Sequence, residues 1–229
     1  MDGIMKKTVL ALVLASMAYN AMAADSVELK IKGTLVNGSC TPTLDKTEVN
    51  FGTIPAGSLD KTATNQLGSR NATLTITCDN AMVMGWTTTD GRVDSLQNLT
   101  VAKAGADDSD VTAQTSEYGL GKAGDVKLGA FTLAATTTGV TADGTAGDLL
   151  EADNVGSSNQ SVWVKSTTGL TQPTVRTFTV GTSGTTTPQA FKVGVFPLKI
   201  TAAVQGTDTL ALTDDASLDG LVTISLDYI

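Results

Sequence analysis

Val222, Ile224, Leu226 and Tyr228 alternate with Thr223, Ser225 and Asp227 near the carboxyl end, and the same two-residue period opens shortly after residue 25. There Val27, Leu29, Ile31, Gly33 and Leu35 share one face, with Glu28, Lys30, Lys32 and Thr34 on the other. A period of two cannot lay an apolar stripe along a helix; it marks a half-buried strand. Composition agrees, since 23 glycines, only 5 prolines and abundant threonine suit strands joined by turns. An all-β fold is therefore expected. Further strands are predicted over 48–54, 72–78, 82–88, 96–102, 126–133, 161–165, 174–180 and 191–204, with Pro197 marking a kink, bulge or edge position in the last. From 103 to 160 the sequence thins into Gly, Ala, Thr and Asp, which reads as long loops or weakly paired hairpins. With neither a repeat nor a Pro-rich linker, the expected organisation is one domain over 37–229 with a loop-rich insertion around 103–160.

The first 23 residues read as an export signal. Lys6 and Lys7 precede the apolar run 9–18, and Ala21-Met22-Ala23 supplies the small-x-small cleavage pattern. Asp2 is out of place in a positive leader, which suggests that translation starts at Met5 rather than Met1. The run is about half the roughly 20 residues that span a bilayer, so no membrane insertion is expected. The chain's two cysteines, Cys40 and Cys78, both lie in the exported part. In an oxidising compartment such a pair forms one disulfide. A catalytic or metal-binding pair is the rival reading, but no histidine or further cysteine exists to complete a site, and no metal or cofactor is expected.

The absence of histidine also removes the usual general base, and neither a GxSxG nor an SxxK motif appears, so an enzyme is not expected. A formal charge of −8 has the wrong sign for nucleic acid or anionic lipid. It suits a β-rich surface kept in solution. The acidic clusters Asp107-Asp108-Ser109-Asp110 and Asp214-Asp215 lack the spacing of a calcium loop and read as solvated turns.

Taken together, the leader, the alternating amino-terminal segment, the cysteine pair and the closing LVTISLDYI with its penultimate tyrosine resemble a fimbrial (pilus) subunit of the chaperone-usher pathway. Gly33 lies seven residues before Cys40 in KGTLVNGSC, as a glycine does in the amino-terminal extension of pilins. VNFGTIPAGSL and LTITCDNAM are similar to the exported fimbrial-type subfamily labelled as a domain of unknown function. The resemblance covers residues 25–90 and 190–229. It implies an incomplete immunoglobulin-like sandwich that lacks its last strand, completed by a donor strand from another chain. Residues 24–36 would be the donor extension, with Val27, Leu29, Ile31, Gly33 and Leu35 as its inserted face. Val222, Ile224, Leu226 and Tyr228 would line the acceptor groove, and Cys40–Cys78 would tie together the domain's first two strands. The implied partners are a periplasmic chaperone, an outer-membrane usher and neighbouring fimbrial subunits, other copies of this chain first among them, with the fibre at the cell surface. Two features depart from the common pilin pattern: Gly220 stands only nine positions before Ile229, and the chain is long, with its surplus in 103–160.

The alternative is an exported monomeric β-sandwich that binds a carbohydrate or surface ligand, for which Trp86, Trp163 and Tyr118 could form a stacking platform. Tryptophan in a sandwich more often belongs to the core.

Overall fold

The computed structural model describes residues 29–34, 38–212 and 215–229. The chain divides into two compact units, residues 1–37 and 38–229. The expected leader (1–23), together with Val27 and Leu35, lies outside the described residues. In the first unit, residues 29–34, which include Leu29, Ile31 and Gly33, have no regular secondary structure. Leu29 and Ile31 are 86% and 91% exposed. The strand predicted there is thus not formed over 29–34, because a strand exists only where a neighbour takes up its backbone hydrogen bonds, and periodicity alone supplies none.

The described residues of the second unit form thirteen strands: β1 (Cys40–Leu44), β2 (Asn65–Met82), β3 (Met84–Asp90), β4 (Tyr118–Gly119), β5 (Lys122–Ala123), β6 (Val126–Lys127), β7 (Gly129–Ala135), β8 (Thr141–Ala142), β9 (Thr145–Asp153), β10 (Val164–Lys165), β11 (Arg176–Thr182), β12 (Phe191–Val204) and β13 (Val222–Tyr228). A single helical turn, α1 (Thr207–Leu210), precedes the last. The main antiparallel sheet runs β1-β2-β12-β8-β9-β11-β3-β13, with β7 and β4 continuing from β12 and β10 added to β9. The short β8–β9 hairpin turns the corner between a β1-β2-β12-β7 layer and a β9-β11-β3-β13 layer. Apolar residues from both layers meet in one core. The chain is all-β, as expected, and the arrangement is that of a β-sandwich.

Strand alternation explains the core directly. Leu74 and Ile76 of β2, Phe196, Leu198 and Ile200 of β12, Phe131 and Leu133 of β7, Trp86 of β3 and Phe178 of β11 all point inward. Trp86 packs against Phe178 at 5.1 Å and edge-on to Phe196 at 5.9 Å, while Tyr118 stacks on Phe131 at 5.1 Å. The Tyr118 hydroxyl lies 2.7 Å from the Thr88 hydroxyl and 2.6 Å from that of Thr171. Burial pushes its pKa up to about 12. Trp86 and Tyr118 are therefore structural, and of the three platform aromatics only Trp163 reaches the surface.

Cys40 and Cys78 form a disulfide across a directly opposed β1–β2 pair. Pro42 sits beside it in β1, tolerated because β1 is an edge strand. Pro197 is accommodated differently. It falls between the stretch of β12 paired with β8 (Gly194, Val195) and that paired with β7 (from Leu198), where a missing N–H forfeits no ladder bond on that side.

Two further predicted strands are not strands. Residues 48–54 are irregular, shaped by turns such as that in which the Gly52 N–H donates to the Asn50 side chain. Residues 96–102 make only a single bridge, Val101 to Val111. Leu96 and Val101 are buried all the same, in a small second core with Ala104, Val111, Ala130 and Ala203. Apolar spacing there records loop burial rather than pairing. Within 103–160 the loops are interrupted by β7, buried along its whole length, and by β9. The small residues of GAFTLAA let layers approach closely but carry little hydrophobic signal.

Replacing both cysteines with serine should lower stability by about 3 to 4 kcal/mol, the loop-closure value for this spacing, read in urea unfolding. Tyr118→Phe should cost about 1 to 3 kcal/mol, because two buried threonine hydroxyls lose a partner.

Candidate assembly site

The carboxyl-terminal strand is built to be held on one side only. β13 pairs antiparallel with β3 from Val222 opposite Asp90 to Tyr228 opposite Met84. It is last in the strand order, and its other edge has no partner among the described residues. β1 stands at the opposite end of the order with an equally unpaired edge.

The inward face of β13 is only half covered. Val222, Ile224 and Leu226 pack against the main core yet remain partly accessible, whereas β3 and β11 alongside in the same layer contribute fully buried Met84, Trp86, Phe178 and Val180. Tyr228 continues the same alternation but is 64% exposed at the strand end. Sequence periodicity thus identified the face, and the structure divides it into three core-facing residues and one exposed ring. Other partly buried apolar side chains also pack against the main core: Val49, Phe51, Leu59, Leu67, Met82 and Leu218. Val49 and Phe51 come from 48–54, where the predicted strand is irregular chain whose apolar residues still reach the core. Phe51 also lies under the Arg70 guanidinium at 5.0 Å.

The register of β13 is set by contacts at both ends. At its start, Arg92 donates to both carboxylate oxygens of Asp219, at 2.9 and 3.2 Å, and the Asp219 N–H donates to the Leu120 carbonyl. This bidentate pair holds the Asp219 carboxyl below the usual carboxylate range. Gly220 follows because any Cβ there would stand 2.7 Å from the Phe131 ring, which accounts for a glycine so close to the end of the chain. At the far end, Thr177 of β11 donates to Asp227 of β13 at 2.8 Å across the intervening β3. The residue they reach across is Gly85, directly opposite Asp227. A Cβ on Gly85 would lie 2.5 Å from the Thr177 methyl and 3.0 Å from Ile229.

No group of three or more acidic or cysteine side chains placed to hold a metal occurs among the described residues. Asp107, Asp108 and Asp110 are used locally, accepting from Ser109, Lys199 and the Lys103 N–H. Asp214 lies outside the described residues. No helix among them is long and apolar enough to cross a membrane.

The molecule is thus a disulfide-bonded β-sandwich, of the kind made in an oxidising, exported environment, with an incompletely covered carboxyl-terminal edge strand. The chain belongs to the family described as "Protein of unknown function (DUF1120)", whose model matches residues 29–132. It is 31% identical over 242 residues to "Protein GltF" and 30% identical over 232 residues to "Uncharacterized protein YhcF", both of Escherichia coli (strain K12). Each alignment covers 94% of this chain, with 94% and 95% of the respective relatives.

Gly85→Ala should destabilise the protein by about 1 to 3 kcal/mol through overpacking at the β13–β3–β11 junction. Leu226→Ala should cost less than the roughly 2 to 5 kcal/mol expected of Leu74→Ala in the closed core, because Leu226 is only partly buried. Urea titration of the three variants checks both statements.

Proposed function

We propose that this protein is a structural subunit of a surface fimbria, assembled by donor-strand exchange and supporting adhesion. The observation that carries the reading is β13, an edge strand at the end of the chain whose apolar face lies against the core but is only half covered. An edge of that kind is an aggregation hazard on its own and a template for an added strand. An incoming strand would take up the free backbone groups of β13 and lay alternate side chains over Val222, Ile224 and Leu226. Each large apolar residue buried in this way contributes about 1.5 to 3 kcal/mol, so exchange of a looser occupant for a tighter one needs no external energy source.

The donor in this reading is the extension 24–36 of a neighbouring copy, inserting Val27, Leu29, Ile31 and Leu35, with Gly33 allowing close backbone approach. The bare Leu29 and Ile31 side chains are in keeping with a segment whose apolar face is meant for another surface. A periplasmic chaperone would cover the groove first, and the outer-membrane usher would be the place of exchange. The disulfide fits passage through the periplasm. The rival reading, a monomeric ligand-binding sandwich, draws on Trp163, partly exposed between the exposed Val162 and Val164.

The exported chain, co-expressed with its chaperone, should be recovered as a chaperone complex or as heat-resistant polymers on size-exclusion chromatography. Deletion of 24–36, or Ile31→Asp, should abolish the polymers and spare the chaperone complex. Stable monomers from both forms without a chaperone would refute the proposal and favour the binding module.

A further inference from the structure

Residues 96–113 form a strap across the outer face of the β2–β12–β7 layer, fastened at several points. Gln66 of β2 donates to the Thr100 carbonyl at 2.7 Å and accepts from the Ala102 N–H at 2.9 Å. Lys199 of β12 donates to the Gly105 carbonyl at 2.9 Å and to Asp108 at 2.7 Å. Lys127 donates to the Leu96 carbonyl at 3.0 Å, and the Ala106 N–H to the Thr168 carbonyl at 2.7 Å. Beneath lies the second core, with Val101 and Ala104 of the strap against Ala130 and Ala203 of the sheet.

Buried polar groups with no hydrogen-bond partner among the described residues lie against this space. Glu117 has an extended backbone and precedes Tyr118, whose ring enters the main core, so its own side chain emerges on the strap side. One position on from the Tyr118–Phe131 pair, it comes opposite Thr132, which in turn pairs with Thr201 of β12. Glu117, Thr132 and Thr201 are all buried, with Glu117 just before β4 and Thr132 opposite Thr201 in β7 and β12. Among the described residues, neither carboxyl oxygen of Glu117 has a hydrogen-bond partner, and neither has the Thr201 hydroxyl. A native protein rarely leaves so many buried polar atoms unsatisfied without a use for them.

We propose that Glu117 makes closure of the 96–113 strap pH-dependent: the strap lies closed over the neutral carboxyl and loosens when the carboxyl ionises. This does not rest on the assembly reading. Burial raises the Glu117 pKa from 4.5 to about 7, and the Leu99 amide offsets it only in part, without reaching hydrogen-bond geometry. No charged neighbour contributes to that shift. On the strap, Asp107 and Asp108 are held by Ser109 and Lys199, and Asp110 by the Lys103 N–H. From the surrounding elements, Lys127 is taken by Leu96, Asp90 by the Gly119 N–H, Arg92 by Asp219, and Arg176 by Asp153 and Glu151. Asp94 lies at the strap's entry, and β7 and β4 carry no charge.

The direction follows from proton binding. The closed form holds its proton up to about pH 7, whereas an opened, hydrated glutamate releases it near 4.5. Between those values the closed form binds more protons, so rising pH favours opening, and above 7 the effect levels off.

Hydrogen exchange of the full chain, corrected for intrinsic rates, tests this. The opening equilibrium of residues 96–113 should rise on the order of a hundredfold from pH 4.5 to 7, with β2 and β12 amides changing far less. Glu117→Gln, or Glu117→Met should the amide disturb packing, should flatten that dependence. Carboxyl NMR of the wild-type chain should show Glu117 titrating near 7. A midpoint near 4.5, an unchanged pH profile in a folded variant, or a loss of protection shared equally by strap and core would overturn the proposal.

Discussion

The β2–β12 ladder is the constraint on which the rest of this molecule rests. Its backbone pairing runs from Phe191 opposite Met82 to Val204 opposite Asn65, broken only by register shifts near each end. Because side chains alternate along it, one pair of strands serves two interiors at once. Leu74, Ile76, Phe196, Leu198 and Ile200 form the floor of the main core, while Ser69, Lys199, Thr201 and Ala203 face the strap. β1 is attached to one margin through the disulfide pair, and β7 and β8 to the other.

The two faces differ in how completely they are closed. Over the main core, closure fails at β13, where apolar residues are half covered and a backbone edge is free. Over the second core, what is missing is hydrogen bonding, since Glu117 and Thr201 are buried without partners among the described residues. The first deficit is one of apolar contact, which another strand can supply, and the second is one of polar solvation, which water entering beneath the strap can supply. Both are local departures from the rule that a domain buries its apolar surface and satisfies its polar groups.

Much of the architecture was legible in the residues. The limits 191–204 agree with β12, and alternation over Val222, Ile224 and Leu226 identified the core-facing side of β13. Cys40 and Cys78 were a pair with no competing partner. Other features were hidden for physical reasons. β7 is made of small residues that bury little area each, so its place in the core left a weak pattern. In 96–102 the apolar spacing arose from a loop lying on a sheet, which no single-strand template distinguishes from a strand. Nothing in the neighbourhood of Glu117 announced its burial, because the residues that enclose it come from distant parts of the chain.

The sequence by itself determined the all-β class, the cysteine pair and which residues of the terminal strand face inward, because alternation and residue type act through the nearest few positions. Only the tertiary structure decided that β13 is an edge strand, that Gly85 must be bare for Thr177 to reach Asp227, and that Glu117 is sealed from water beneath a strap. Edge, clearance and burial are properties of what lies alongside a residue in space, and in this sandwich those neighbours are brought together by pairings that span most of the chain.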